Sequence, residues 1–364
     1  MAVIIKKPTE NLKGILVLNQ KETNMLGQFS SYRKTYFIGC HVGCYHKQKT
    51  ITGFDFYMSS PEQLPDDFSD KNKIIPMNSR NFLPDTFHNE LGKSKESLLN
   101  SIREMHKVSK TKISDDIIEK FKESTKDYFW DILWVNKPHS VKNIKIFLDQ
   151  LKIVFNTNPC NVLLICAISP NENKFKQHFL DVENYIKEVF TEDEMKFISL
   201  LRPETGGNEG ADNSLMPPFY QWSNVFAFYT QREGESRVVH EALCCGCRIV
   251  YYNDVEGGSD DYLNDKNSVS FNVYNDSYES LISAINMNKI SDCSVIHNIC
   301  LCKNTLDTFK KELTKLYSNH GFIFDDIILD IPNLHFELPA HNHKVPWKCS
   351  SNETGDLTPR YFKE

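Results

Sequence analysis

The sequence predicts an α/β protein of two domains built on parallel sheets, and three observations carry that expectation. A chain of 364 residues with 40% hydrophobic content buries more surface than a single core usually organises. From residue 128 onward, short apolar runs alternate with longer stretches of helical period, the pattern of strands joined by crossover helices in a sheet covered on both faces. Within that half, the apolar run at 225–229, the segment 231–247 and the apolar run at 249–252 read as a strand, an acidic loop, a short helix and the next buried strand, which is one βαβ unit.

Taken in order, residues 1–13 read as a poorly ordered lead-in and residues 15–18 as a first short strand. Residues 36–43 form a second apolar run that closes on glycines, as a strand does when it delivers a loop to a ligand crevice. Residues 54–58 and 73–77 complete a small sheet. Between 93 and 126 the chain is highly charged, with Leu98, Leu99, Ile102 and Met105, then Ile113, Ile117, Ile118 and Phe121 at helical spacing, so two amphipathic helices link the domains. Acids are mixed with the lysines there, so the polar side reads as a solvated face; peripheral membrane contact stays open.

The second domain opens with a strand at 129–135 and a turn at 136–143 that enters a helix running through Leu151. A strand at 162–168, a helix at 174–189 and a strand at 196–201 follow. Residues 203–214, rich in Gly, Asn and Glu, form a loop over the base of a ligand, and 215–222 a short helix. After the central unit come a strand at 268–273, a helix at 277–287 and a helix at 309–317 with an aromatic tail through Phe336 and Trp347. No internal repeat is present. The expected domains are 1–127, 128–303 and a C-terminal helix and tail, 304–364.

The central unit holds the chemistry. In an open parallel sheet ligands bind beyond the carboxyl ends of the strands, where a helix N-terminus offers unpaired N–H groups and a partial positive charge. Gly234 and Ser236 fall there, the glycine allowing close backbone approach and the serine able to cap the helix. Glu233 in the loop and Glu241 in the helix are separated by seven residues. One acid thus lies beside whatever the helix terminus holds and the other farther along, which suits a ligand with a central phosphate and a hydroxylated ring at each end. A helix with surface acids is the plainer reading, but EG-x-S-x4-EA-x2-CG between two apolar strands is far longer than a chance pair.

That arrangement resembles the signature of retaining family 4 (group 1) glycosyltransferases, whose fold is GT-B, two facing Rossmann-like domains. The N-terminal one is reduced here. The resemblance implies that Glu233 contacts the transferred sugar, Glu241 holds the ribose hydroxyls, and the amides of Gly234, Glu235 and Ser236 hold the diphosphate. Glu235 and Arg237 stand where the family has small or apolar residues, and Arg248 where it has proline. The family's GR-x4-K-G pattern, whose two cations clamp the diphosphate, is matched by Lys137 and Lys142 with the same four-residue gap; lysine keeps the charge and loses the bidentate fork. Arg202, ahead of the 203–214 loop, joins the donor-binding set, and Gly257 to Tyr262 resembles the family's GG-x-x-E segment with aspartate in the acidic place. In the first domain residues 78–87 loosely resemble NG-x-D-x-x-x-F-x-P. No GG-x-G loop is present; Gly39 and Gly43 are its reduced counterpart. Either His41 or His46 is the candidate for the first-domain histidine that reaches the sugar, against the plainer reading of His41 as a satisfied strand-end side chain.

Composition narrows the rest. A net charge of −6 argues against a broad nucleic-acid surface, which needs concentrated cations. No run reaches membrane-spanning length, and the N-terminal apolar patch is too short for a secretory core. The 11 cysteines, odd in number and scattered, read as reduced thiols of a cytoplasmic protein. Cys40, His41, Cys44 and His46 invite a zinc reading, but no second ligand pair at zinc spacing accompanies them, and the resemblance implies no essential metal and no cofactor. The function expected is transfer of a hexose from UDP or GDP to an acceptor hydroxyl on a glycan, lipid or protein, with retention. The alternatives are a catalytically degenerate nucleotide-sugar-binding module, motivated by the short first domain, or another GT-B enzyme such as an epimerase or phosphorylase, which should lack the paired glutamates.

Overall fold

In the computed structural model the described residues are 2–19, 30–42, 52–59, 64, 68–89, 94–108, 115–124, 126–137, 140–157, 159–166, 173–201, 216–233, 236–256 and 262–328. The first sheet contains β1 (Ala2–Lys6), β2 (Gly14–Asn19), β3 (Tyr36–His41), β4 (Phe56–Met58) and β5 (Ile74–Ile75) in that spatial order. Strands β2 to β5 are parallel, and β1 is antiparallel to β2 with Val3 opposite Val17.

The lead-in expected over residues 1–13 is therefore corrected: its first part is a sheet strand. Ile4 and Ile5 are buried on opposite faces, and the Lys6 ammonium, 2% exposed, is fixed by Asp325 at 2.7 and 2.8 Å and the Ile327 carbonyl at 3.0 Å. Five residues carry too little pattern to show a strand; it is made by partners at 14–19 and 325–327.

Ile15, Val17 and Phe37 point to one side of this sheet, Leu16, Leu18 and Ile38 to the other, the two-residue period of a strand buried on both faces. The last strand leads into a turn at Asn78, whose side chain accepts from the Arg80 amide while Asn81 caps the Asn78 amide in return.

The helices α1 (Lys95–Val108) and α2 (Asp115–Glu123) follow, and rather than bridging solvent they place Leu98 and Phe121 in the core of the second sheet. That sheet is built from β6 (Trp130–Asn136), β7 (Val162–Cys166), β8 (Ile198–Leu201), β9 (Ser223–Phe228), β10 (Arg248–Tyr252) and β11 (Ser268–Phe271). Between them run α3 (Ile144–Thr157), α4 (Asn173–Val189), α5 (Glu192–Met195), α6 (Met216–Gln221) and α7 (Arg237–Cys244), and after them α8 (Ser277–Ile285), α9 (Ser294–Cys300) and α10 (Cys302–Asn319).

All pairings in the second sheet are parallel, in the order β11-β10-β9-β6-β7-β8. The chain starts at β6, moves outward through β7 and β8, then returns to the far side of β6 with β9. Helices consequently leave β6 and β9 on opposite faces, and a crevice opens between their carboxyl ends, the place where such sheets bind ligands. Ile132 and Trp134 of β6 face α3, α4 and α8, while Leu133 and Val135 face α6, α7 and α9, so burial on both sides explains the near-continuous apolar run.

The two sheets are tied together twice. The outgoing chain at Leu83 and the returning chain at Leu301 form a parallel bridge, with Leu83 N–H donating to the Cys300 carbonyl at 2.8 Å and Cys302 N–H to the Leu83 carbonyl at 2.9 Å. Beyond it α10 lays Phe309, Leu313, Leu316 and Tyr317 against Ile15, Val17 and Phe37 of the first sheet. The aromatic tail expected past this helix lies outside the described residues.

Candidate functional site

The crevice between β6 and β9 is furnished by two loops. The chain leaving β6 carries Lys137, a tight 3-10 turn at Ser140–Lys142, and Asn143 in the left-handed region at φ 52°. The chain leaving β9 bends at Gln231 and runs through Arg232 into Glu233, held from the far side by Glu256: Glu256 N–H donates to the Gln231 carbonyl at 3.0 Å and Glu233 N–H to the Glu256 carbonyl at 2.9 Å. The two loops are stitched together. Gln231 N–H donates to the Val141 carbonyl at 3.2 Å, Asn143 Nδ2 to the Tyr229 carbonyl at 3.0 Å, and Asn136 Nδ2 to Thr230 Oγ1 at 3.3 Å.

This stitching sets the Lys142 ammonium directly on the Glu233 carboxylate. The lysine side chain is 13% exposed and the carboxylate 29%. Burial, and after it the like charge of Lys137, lower the Lys142 pKa to about 8. Glu233 pulls the other way, but water reaches its carboxylate and screens that attraction, so desolvation wins. The crevice therefore holds the Lys142–Glu233 pair, with the charge of Lys137 near enough to be felt by Lys142.

Helix α7 starts at the same end of the sheet, with Ser236 buried at its N-cap position. The expected serine cap is not made: no side-chain bond from Ser236 reaches the first turn, and its carbonyl instead accepts from Val239 N–H at 3.2 Å and the His240 ring at 2.9 Å. Because a carbonyl only accepts, His240 Nδ1 carries the proton. Burial, with the Arg80 charge, drops the His240 pKa to about 3, so the ring is neutral. Among the described residues His240 Nε2 has no partner. Arg80, from the first domain, lies 4.9 Å over the Tyr262 ring, which meets His240 edge-on at 5.3 Å.

Glu241, one position on, is 7% exposed. Tyr220 Oη donates to its Oε2 at 3.1 Å and Arg237 to its Oε1 at 3.4 Å, while burial raises its pKa. Both oxygens thus have protein partners.

The helix ends in a Schellman turn. Gly246, at φ 81°, donates to the Leu243 carbonyl at 3.0 Å, and Cys247 N–H to the Ala242 carbonyl at 2.9 Å. The glycine expected in the Cys245-Gly246-Cys247 turn is required by that left-handed conformation.

Of the residues singled out from sequence, Lys137, Lys142, Glu233 and Ser236 follow the carboxyl ends of β6 and β9, while Glu241 sits in the second turn of α7 with its carboxylate on Tyr220 and Arg237. Gly234, Glu235, Arg202, Gly43, Cys44, His46 and the 257–261 segment lie outside the described residues. His41 ends β3 on the first sheet, 1% exposed, with its backbone paired to Asn19 and Met58. Gly39 departs from the expected phosphate loop. It sits mid-strand opposite Val17 and Phe56, and a Cβ there would lie 2.2 Å from the Phe56 ring, so the missing side chain makes room for an aromatic. Cys40 is buried with its thiol pushed up to about 12, and no three potential metal ligands cluster among the described residues. No helix among the described residues is long and apolar enough to cross a membrane. Sequence reasoning passed over Asn143, Tyr220 and Arg80. The first had a signal, an asparagine where the resembling pattern K-G has glycine.

No protein-family model matches this chain, and no curated protein matches it in sequence. Solved structures do. The α,α-trehalose 6-phosphate synthase of Burkholderia multivorans aligns with a TM-score of 0.53 at 10% identity, over 84% of this chain and 72% of that one. Anabaena Alr3699/HepE in complex with UDP-glucose gives 0.53 at 10% identity, over 82% and 78%, and its complex with UDP and glucose 0.52 at 11%, over 82% and 77%. At these identities the likeness speaks for architecture: two parallel-stranded sheets, a chain that crosses between them and returns, and a crevice at the carboxyl ends make this an α/β protein of the GT-B fold.

Proposed function

We propose that the protein transfers a hexose from a nucleoside diphosphate, UDP or GDP, to an acceptor hydroxyl, with retention at the anomeric carbon. The observation that carries this reading is the convergence of Lys137, Lys142 and Glu233 at the switch point of the second sheet. A GT-B neighbour solved with UDP-glucose supports the donor class.

When the bond between the sugar and the diphosphate breaks, negative charge develops on the leaving phosphate. Lys137 and Lys142, held in a part-dry crevice beside the N-terminus of α7, stabilise that charge where it appears. The electron pair of the breaking bond leaves with the diphosphate, and the acceptor oxygen attacks from the same face and passes its proton to the departing phosphate oxygen. Glu233, beside Lys142, orients the sugar and carries opposite charge to the developing oxocarbenium ion without forming a bond. The donor-binding roles of Gly234, Glu235, Ser236, Glu241 and Arg202, and the reach of His41 to the sugar, belong to this proposal. The second reading, a donor-binding module that turns nothing over, is favoured by the first sheet, whose last strand is only Ile74–Ile75.

The test is thermal stabilisation by UDP, GDP and their common hexose conjugates, on wild type and Glu233→Gln, followed by sugar release with the best binder. Stabilisation by one nucleotide sugar with release of sugar, slowed in the variant, is expected. Binding without release in the presence of any glycan, lipid or peptide acceptor establishes the non-catalytic module, and stabilisation by none sinks both readings.

Diphosphate binding should also depend on pH in a defined direction. Lys142 binds an anion in its protonated form, and its pKa in the unliganded site is about 8. Affinity for UDP or GDP is therefore full below about 8 and falls by up to about tenfold per unit above it. The stability of the fold has the opposite sign: the unfolded chain keeps the proton up to the ordinary lysine value of 10.5, so this group's contribution rises between the two values. Calorimetric titrations at several pH values, beside melting curves without ligand, check both signs.

A further inference from the structure

Resting on the diphosphate reading above, we propose that Asn143 is a positioning residue whose left-handed backbone and cross-loop amide bond aim Lys142 at Glu233 and at the phosphate seat. Its backbone joins the two elements on either side. Asn143 N–H donates to the Ser140 carbonyl at 3.0 Å, closing the turn that carries Lys142, and its own carbonyl accepts from Phe147 N–H at 3.0 Å, starting α3.

Its side chain reaches across the crevice. Nδ2 donates to the Tyr229 carbonyl at 3.0 Å, at the end of the strand that leads to Glu233. The Tyr274 hydroxyl donates to the same Tyr229 carbonyl at 3.4 Å, so the amide and the hydroxyl converge on one oxygen. Tyr274 is held in turn by stacking on Tyr252, ring centres 4.7 Å apart. Both donors hold the end of β9 where, among the described residues, one backbone bond, from Gln231 to Val141, joins the two loops.

Residue choice points the same way. A φ of 52° is the region where glycine is the least strained residue and asparagine is tolerated because its side chain bonds nearby. Here the bond is to a residue 86 positions away, so what asparagine adds over glycine is the tie between loops. Without the tie the turn swings toward solvent, and Lys142 leaves both Glu233 and its dry slot. Among the described residues the charged groups facing Lys142 are Glu233 from the β9 side and Lys137 from the end of β6. On the Asn143 side the Tyr274 hydroxyl stays neutral, pushed up to about 12, and the Arg232–Glu256 pair beyond Glu233 is exposed.

The experiment compares wild type with Asn143→Gly, which keeps the left-handed turn and loses only the tie, and with Tyr274→Phe, which removes the second donor to the Tyr229 carbonyl. UDP and GDP are titrated calorimetrically from about pH 6.5 to about pH 9.5, with melting temperatures measured alongside. Asn143→Gly is expected to bind the preferred nucleotide roughly fivefold more weakly near neutral pH, the worth of one hydrogen bond. Its alkaline loss of binding should move upward by at least about half a pH unit as Lys142 regains water, at an almost unchanged melting temperature, and Tyr274→Phe should show a smaller change in the same direction. Wild-type affinity and pH midpoint in Asn143→Gly overturn the inference while leaving the phosphate reading intact. A lowered melting temperature with an unmoved pH midpoint assigns Asn143 to folding alone and overturns it as well. Failure of the wild type to bind either nucleotide removes the phosphate reading and this inference together.

Discussion

Changing Lys142 to methionine is expected to lower kcat/KM for sugar transfer by roughly a hundred- to a thousand-fold, the range seen when one group aimed at developing charge is removed from a desolvated site. Two consequences of one substitution add up. The leaving diphosphate loses a cation in a slot where the lysine is 13% exposed and water substitutes poorly for it. Glu233 loses its partner and turns its charge against the incoming phosphates. Lys137 remains and carries only part of the work. Methionine fills the same volume, so the melting temperature should change little. Kinetics with the best donor, and calorimetric affinity for its nucleotide, measure the effect; a loss below about threefold would remove Lys142 from the proposed mechanism.

The largest effect on stability should come from Gly246→Ala. A β-carbon at this position meets the Ile290 carbonyl oxygen at 2.5 Å, a backbone atom that cannot swing aside, while φ is 81°. The left-handed conformation alone costs about 1–2 kcal/mol for an alanine. The clash must then be relieved by moving a segment whose Ile290 N–H donates to the Gly246 carbonyl at 3.0 Å. Together they should cost about 3–4 kcal/mol, at the upper end for a single substitution, and lower the melting temperature by roughly 10 °C. Because the same turn ends the helix that carries Glu241 and begins at Ser236, nucleotide binding should weaken before the protein unfolds. A melting temperature within about 2 °C of wild type would show that the segment at 289–290 yields, and that the turn is not the fixed point described above.

How much of this was legible in the sequence depends on the range of the interactions involved. The strands of the second sheet were legible because each is buried on both faces, and a run such as Val225 to Tyr229 needs no partner to announce itself. The resemblance carried by Glu233, Glu241 and the Cys245-Gly246-Cys247 turn led to the fold, and the Schellman turn at Gly246 supplies the local reason for its glycine. The strand β1 was not legible, since Ala2–Lys6 acquires its conformation from β2 and from Asp325. Ser236 was expected to cap a helix on local grounds, and burial beside His240 directed its backbone instead. Gly39 looked like a loop glycine because glycine is common in phosphate loops, whereas Phe56 decides what it is for.

The sequence by itself therefore determined the α/β class, the alternation of the second domain and the residue types of the candidate site, because hydrophobic period and motif spacing are local properties of a chain. Only the tertiary structure decided that Lys142 meets Glu233, that Glu241 is held by Tyr220 and Arg237, and that Asn143 ties two loops together. The two that cross between the loops, Lys142 to Glu233 and Asn143 to Tyr229, span 91 and 86 residues. They exist because a parallel sheet returns the chain to its first strand before building the second half of the site, and burial, not sequence neighbourhood, then sets the charge each group carries.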